Sequence, residues 1–295
     1  MIGEKLLALV HDYNTVCIKT KAFFEFLGII VKGRMLRDDT PDGVPVSRLY
    51  KLMFRSRWYF YLYNFGIFIR SGLAGRRGKL DGDAQIRFSS ENILLIERIG
   101  GKVHLRGLEH LRNCNGKPVV IVANHMSLLE TAVMHAIVRE HMDISFVVKD
   151  ALMKVPFFRH ILKAMNAIPV SRTNAREDLK IVLSEGKKML QSGCSMIVFP
   201  QSTRSAEFDP SQFNSIGIKL AKSAGVPVIP LALKTDLIGN GKFCRDLGPV
   251  FPEKEVRFEF GAPIEIEGNG QAQQQEVIDF ISNCFKRWEQ EGAEK

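Results

Sequence analysis

The chain has 295 residues, 45% apolar and 25% charged, with a formal net charge of +9. This length and apolar content suit one large or two unequal domains that bury a full core without crosslinks. The five scattered cysteines form no CxxC or metal-ligand pairing, which argues against a disulfide framework and structural zinc and for a reducing compartment. A basic balance points to nucleic acid, an anionic membrane or a phosphorylated substrate as partner.

The opening MIGEKLLALVHDYN carries Glu4, a brief apolar run and no clear cleavage site, so no signal peptide is expected. A helix is expected over Thr20–Val31, too apolar to stand alone in water, followed by a loop, DDTPDGVPV, at 38–46. The next segment, WYFYLYNFGIFI (Trp58–Ile69), would span about 18 Å as a helix, short of the roughly 30 Å hydrocarbon core. Its Trp and Tyr residues are types that settle at lipid headgroups. Lys51, Arg55 and Arg57 precede it, and Arg70, Arg76, Arg77 and Lys79 follow it. These features favour the membrane over nucleic acid and make residues 15–75 a monotopic anchor on the cytoplasmic face. A helical hairpin packed on the main domain is the competing reading. Gly72–Asp83, GLAGRRGKLDGD, reads as a linker, which divides the chain into a membrane-association segment (1–83) and a main domain (84–295).

Ser90–Ile99 reads as a short helix. From Lys102 onward, strands and helices alternate. Strands are expected at Lys102–Arg106, Val119–Val122, Ile144–Val148, Ala167–Val170, Ser195–Phe199, Val226–Leu233 and Glu255–Phe260. Helices are expected at Ser127–Glu140, Val155–Ala164, Ala175–Gln191, Phe213–Ala224 and Gln271–Glu289, the last a packing helix. The fold class is therefore α/β, with a mixed, largely buried sheet flanked by helices and an N-terminal helical segment.

The chemistry centres on VVIVANHMSLLET (Val119–Thr131). His125 falls at a strand-to-helix corner, where α/β domains bind ligands. Glu130 lies five residues on. That offset is about 140° on a regular helix, so the carboxylate reaches the ring only if His125 precedes the helix. The pair then reads as a general base with an acidic orienter. Ser127-Leu128-Leu129-Glu130 also matches a capping box, which would give Glu130 a local structural role alone. Three further stretches end strands and bring cations: Lys149, Arg172 and Arg204. In FPQSTRS, Ser202, Thr203 and their backbone N–H groups suit an anion-holding turn, and Arg204 offers a planar fork for phosphate. The other histidines lack paired ligand spacing, and no metal is assigned.

The ordered segments NHMSLLE, KDALMKVPFF, IPVSR, FPQSTRS and VPVIPLAL resemble the glycerolipid acyltransferases of the PlsC type, over about 102–260. The resemblance implies an O-acyltransferase that moves a fatty acyl chain from acyl-CoA or acyl carrier protein to a hydroxyl of a lysophospholipid such as 1-acyl-glycerol-3-phosphate. It needs no cofactor beyond that co-substrate. His125 would take the hydroxyl proton, Glu130 would hold the ring, and Lys149, Arg172 and Arg204 would hold the acceptor phosphate. The sequence departs from the family pattern in two places. Glu130 stands where it has Asp, and Gln201-Ser202 where it has Glu-Gly, so a carboxylate contact expected toward the acceptor becomes neutral at Gln201. Other lipid acceptors, such as a lipid A precursor or an amino-acid lysolipid, and a non-catalytic lipid-binding protein on the same scaffold, remain as alternatives.

Overall fold

The computed structural model describes residues 38–201, 203–241 and 247–293. The helix expected over Thr20–Val31, and with it the start of the expected anchor, lies outside the described residues. All described residues belong to one compact unit.

Among the described residues seven strands build one sheet: β1 (Val103–Arg106), β2 (Val120–Ala123), β3 (Ile144–Lys149), β4 (Ile168–Val170), β5 (Ser195–Val198), β6 (Val228–Lys234) and β7 (Val256–Phe260), in the order β1-β7-β6-β2-β5-β3-β4. β6, β2, β5, β3 and β4 run parallel. β7 is antiparallel to β6, and β1 is parallel to β7, so the sheet is mixed, as expected. The five parallel strands consequently end on one edge. β2 pairs with β5 and β6 on its two sides, through Ile121↔Ile197 and Ile121↔Ile229.

Both faces of the sheet are covered, which is why β2, β5 and β6 read as near-continuous apolar runs. Ile121, Ile197, Ile229 and Leu231 pack with α3 (Gly82–Arg98), α4 (Leu108–Asn113) and α5 (Leu129–Val138). Val120, Val122, Met196 and Val228 point the other way, against α7 (Ala175–Gln191), α8 (Ile216–Ala224) and α9 (Gln271–Ala293). From α9, Val277, Ile281 and Trp288 are buried, as expected of a packing helix. Gly217 lets α8 lie directly on β2, since a Cβ there would fall 2.5 Å from Val122 Cγ2.

The N-terminal helices differ most from expectation. α1 (Arg48–Leu52) is followed by α2 (Arg57–Arg76), which runs beyond the expected Trp58–Ile69 and absorbs the start of the supposed linker. Gly72 and Gly75 are not turn residues. They let α2 approach the segment leading into α6 (Phe158–Ala164), where added Cβ atoms would meet Phe157 and His160 at 2.5 and 2.8 Å. α3 starts eight residues before the expected Ser90, because Asp81 caps it by accepting from the Ala84 N–H at 2.9 Å. Asn64 donates to Asn92 across α2 and α3, and Arg70 pairs with the buried Glu91. Among the described residues no helix is long and apolar enough to cross a membrane.

Candidate active site

Asn124 leaves the end of β2 and completes the edge with β6: its amide donates to Leu233 O and accepts from Leu233 N–H, both at 2.8 Å. The next residue, His125, is the first side chain clear of the sheet. Its ring stacks on Phe199, the residue after β5, with centroids 4.5 Å apart, and keeps 12% side-chain exposure. His125 Nδ1 bonds Glu130 Oε2, and Glu130 is fully buried. The carboxylate reaches the ring because α5 begins only at Leu129, two residues later than expected.

The capping contact forms as well, on the other oxygen. Glu130 Oε1 accepts from the Met126 and Ser127 N–H groups, both at 2.7 Å, and from the Thr235 hydroxyl at 2.6 Å. Ser127 Oγ does not complete the expected box. It accepts from Leu129 N–H at 3.2 Å and donates to Thr235 Oγ1 at 2.9 Å. One carboxylate thus organises the start of α5 with one oxygen and holds the histidine with the other. With Nδ1–H donating to Glu130, Nε2 is the ring nitrogen left to accept a proton.

The neighbouring strand ends deliver the other expected residues to the same edge. Lys149 closes β3 and is exposed. Arg172 follows β4 with φ 60°, a left-handed conformation uncommon for a long side chain. Asp178 from α7 holds it there by accepting from the Ser171 and Arg172 N–H groups at 2.8 and 2.7 Å. Burial, then the charge of Arg204, pull the Arg172 pKa below the usual arginine range, with Asp178 opposing. The two guanidinium groups are therefore close enough to repel. Arg204 is half-buried and Thr203 exposed, while Ser202 lies outside the described residues. Gln201 is buried, and its side-chain oxygen accepts from His125 N–H at 2.8 Å. Ser205 N–H in turn bonds His125 O at 2.9 Å, so the FPQSTRS turn grips His125 from both sides.

The amides of His125, Met126 and Ser127 are all engaged within the protein, so a developing oxyanion must take its donors from elsewhere. Burial pushes the Cys194 thiol up to about 11 and Cys284 up to about 12, which removes both as thiolate nucleophiles. No cluster of three or more metal-ligating side chains occurs among the described residues. Two contacts escaped the sequence reading. Thr235 is 105 residues from Glu130 in the chain and follows an ordinary apolar strand. The grip of Gln201 on His125 N–H likewise leaves no local pattern.

Comparison with known proteins finds similarity over the region that holds this site. Residues 102–234 match the family model described as Acyltransferase. A 1-acyl-sn-glycerol-3-phosphate acyltransferase of Pseudomonas aeruginosa is 32% identical over 155 residues, 50% of this chain and 58% of that protein. The chloroplastic 1-acyl-sn-glycerol-3-phosphate acyltransferase BAT2 of Brassica napus is 27% identical over 48% of this chain and 38% of its own length. The match thus spans less than two thirds of either relative. The crystal structure of the 1-acyl-sn-glycerophosphate acyltransferase of Thermotoga maritima superposes with a TM-score of 0.57, covering 82% of this chain and 97% of that one at 20% identity, and so shares the fold. Over about half of its length the chain is thus similar to the Acyltransferase family model and to 1-acyl-sn-glycerol-3-phosphate acyltransferases, and it shares the fold of the Thermotoga maritima enzyme.

Proposed function

We propose that this protein transfers a fatty acyl chain from acyl-CoA or acyl carrier protein to a hydroxyl of a lysophospholipid such as 1-acyl-glycerol-3-phosphate, a step of phospholipid biosynthesis. The observation that carries this reading is the His125–Glu130 pair, set at a sheet edge where Lys149, Arg172 and Arg204 also emerge.

In this mechanism His125 Nε2 accepts the proton of the acceptor hydroxyl as its oxygen attacks the thioester carbonyl. Glu130 holds the ring tautomer and stabilises the imidazolium. When the tetrahedral intermediate collapses, the C–S bond breaks and the imidazolium returns the proton to the departing thiolate. The acceptor phosphate sits among Arg172, Arg204 and Lys149, where it offsets the mutual repulsion of the two guanidinium groups. Thr203 stands beside Arg204 for the same phosphate, Ser202 is expected from the sequence to join it, and Gln201 fixes the His125 backbone.

The protein works at a membrane surface, residues 1–83 contributing the attachment and 84–295 the acyltransferase domain. What supports this is an apolar row exposed, among the described residues, on α2 and in the turn before it. Phe54 is 94% exposed, and Trp58, Leu62 and Phe65 lie at helical spacing along one face of α2. Arg57 stands over the Trp58 ring at 5.4 Å, within reach of lipid phosphates. Incubating the purified protein with acyl-CoA and acyl carrier protein donors against a panel of lysolipids, followed by mass spectrometry, tests the activity. Absence of acylated product from every pair would leave a lipid-binding protein instead.

A further inference from the structure

We infer that Thr235, at the end of β6, is a positioning residue for the His125–Glu130 pair. Its hydroxyl sets the rotation of the Glu130 carboxylate and so aims the ring of His125. The inference rests on the acyltransferase reading for its kinetic arm and on geometry alone for its spectroscopic one.

Among the described residues four donors meet the Glu130 carboxylate: Met126 N–H, Ser127 N–H, the Thr235 hydroxyl and His125 Nδ1–H. Three of these belong to the 125–127 segment itself and would follow any shift of that loop. Thr235 alone among them comes from another strand. It is fully buried, and its strand is tied to β2 by the register Ala123↔Leu231 and by the two hydrogen bonds between Asn124 and Leu233. The hydroxyl therefore references the carboxylate to the sheet, whereas the amides reference it only to its own loop. Rigid elements hold a site more accurately than loops do, and a small misplacement of the base is costly in rate.

The direction of the hydroxyl protons follows from the partners. A carboxylate oxygen in this setting accepts, so Thr235 donates to Glu130 Oε1 and accepts from Ser127 Oγ–H. Ser127 Oγ accepts from Leu129 N–H and is free to donate onward. The run Ser127→Thr235→Glu130 leaves Oε2 directed at His125 Nδ1. Replacing Thr235 by valine removes the donor at nearly constant shape. The carboxylate can then turn about its last bond, and the ring loses its aim without losing its partner.

The test uses the full chain. Thr235→Val is expected to lower kcat by about ten- to a hundredfold while leaving KM for donor and acceptor within about twofold, and Thr235→Ser is expected to restore kcat. Nitrogen-15 histidine NMR supplies the second reading. The low-field Nδ1–H resonance of His125, identified by its loss in His125→Ala, should shift or broaden in Thr235→Val and return in Thr235→Ser. If Thr235→Val fails to fold, Ser127→Ala, which withdraws the donor to Thr235, should give a smaller change of the same kind in both readings. An unchanged resonance and unchanged kcat in the folded variant overturn the inference. If the wild-type protein transfers no acyl group, the functional reading fails, and the resonance still decides the positioning role.

Discussion

His125 and His135 sit at the two ends of one structural unit, ten residues apart, and their surroundings give them opposite characters. His125 stands before α5 with a carboxylate on one nitrogen and an outlet on the other side of the ring. His135, within α5, is buried against Phe146, and neither of its ring nitrogens finds a hydrogen-bond partner among the described residues. Burial, reinforced by Arg139, takes the His135 pKa down to about 3. His125 thus keeps a carboxylate partner and an exposed side, while His135 is held neutral by its burial. A residue type at helical spacing from a functional one says little until the partner of each nitrogen is known.

The contrast can be broken most forcefully at His125. His125→Ala should cut kcat by about a hundred- to ten-thousandfold with little change in melting temperature, measured by acyl transfer and calorimetry side by side. His135→Phe should do the reverse, keeping activity and altering stability. Between the unfolded value near 6.5 and the folded value of about 3, the unfolded chain binds the extra proton, so stability falls as pH drops through that window. The slope from this group approaches about 1.4 kcal/mol per pH unit, and denaturant titrations at pH 4 to 7 should show it shallower in His135→Phe. If both variants lose activity equally, the separation of roles is wrong.

Arg204→Ala sharpens the picture at the rim. It should raise KM for a phosphate-bearing acceptor by about tenfold, with a smaller effect on kcat and none on an acceptor lacking phosphate. The smallest effect is expected farthest from the chemistry. Leu62→Glu with Phe65→Glu should weaken sedimentation with anionic vesicles several-fold while sparing turnover on a dispersed acceptor. Undiminished vesicle binding would remove the apolar row of α2 as the attachment surface.

The alternation of strands and helices from Lys102 onward was legible because periodicity and β-branched runs are local signals, and so was the position of His125 at a strand end. The glycines of α2 were misread because composition does not distinguish a glycine that turns the chain from one that admits a neighbouring backbone; Gly72 and Gly75 are of the second kind. At Glu130 the sequence offered a cap or an orienter, and the structure combines them, since a carboxylate has two oxygens and the late start of α5 lets each take its own partners. Thr235 was silent, and Gln201 was expected to face the acceptor rather than hold His125 N–H, because these contacts are made between strands that are neighbours only in the folded sheet.

The close seat of α8 on β2 extends the influence of the site to the far face of the sheet. A methyl group at Gly217 would press on Val122 in β2, three residues before His125, which follows that strand. In a saturation screen scored for activity, alanine at Gly217 should therefore rank with the inactive substitutions although it touches no reactant, and the map of intolerant positions should include a patch on the side of β2 opposite α5.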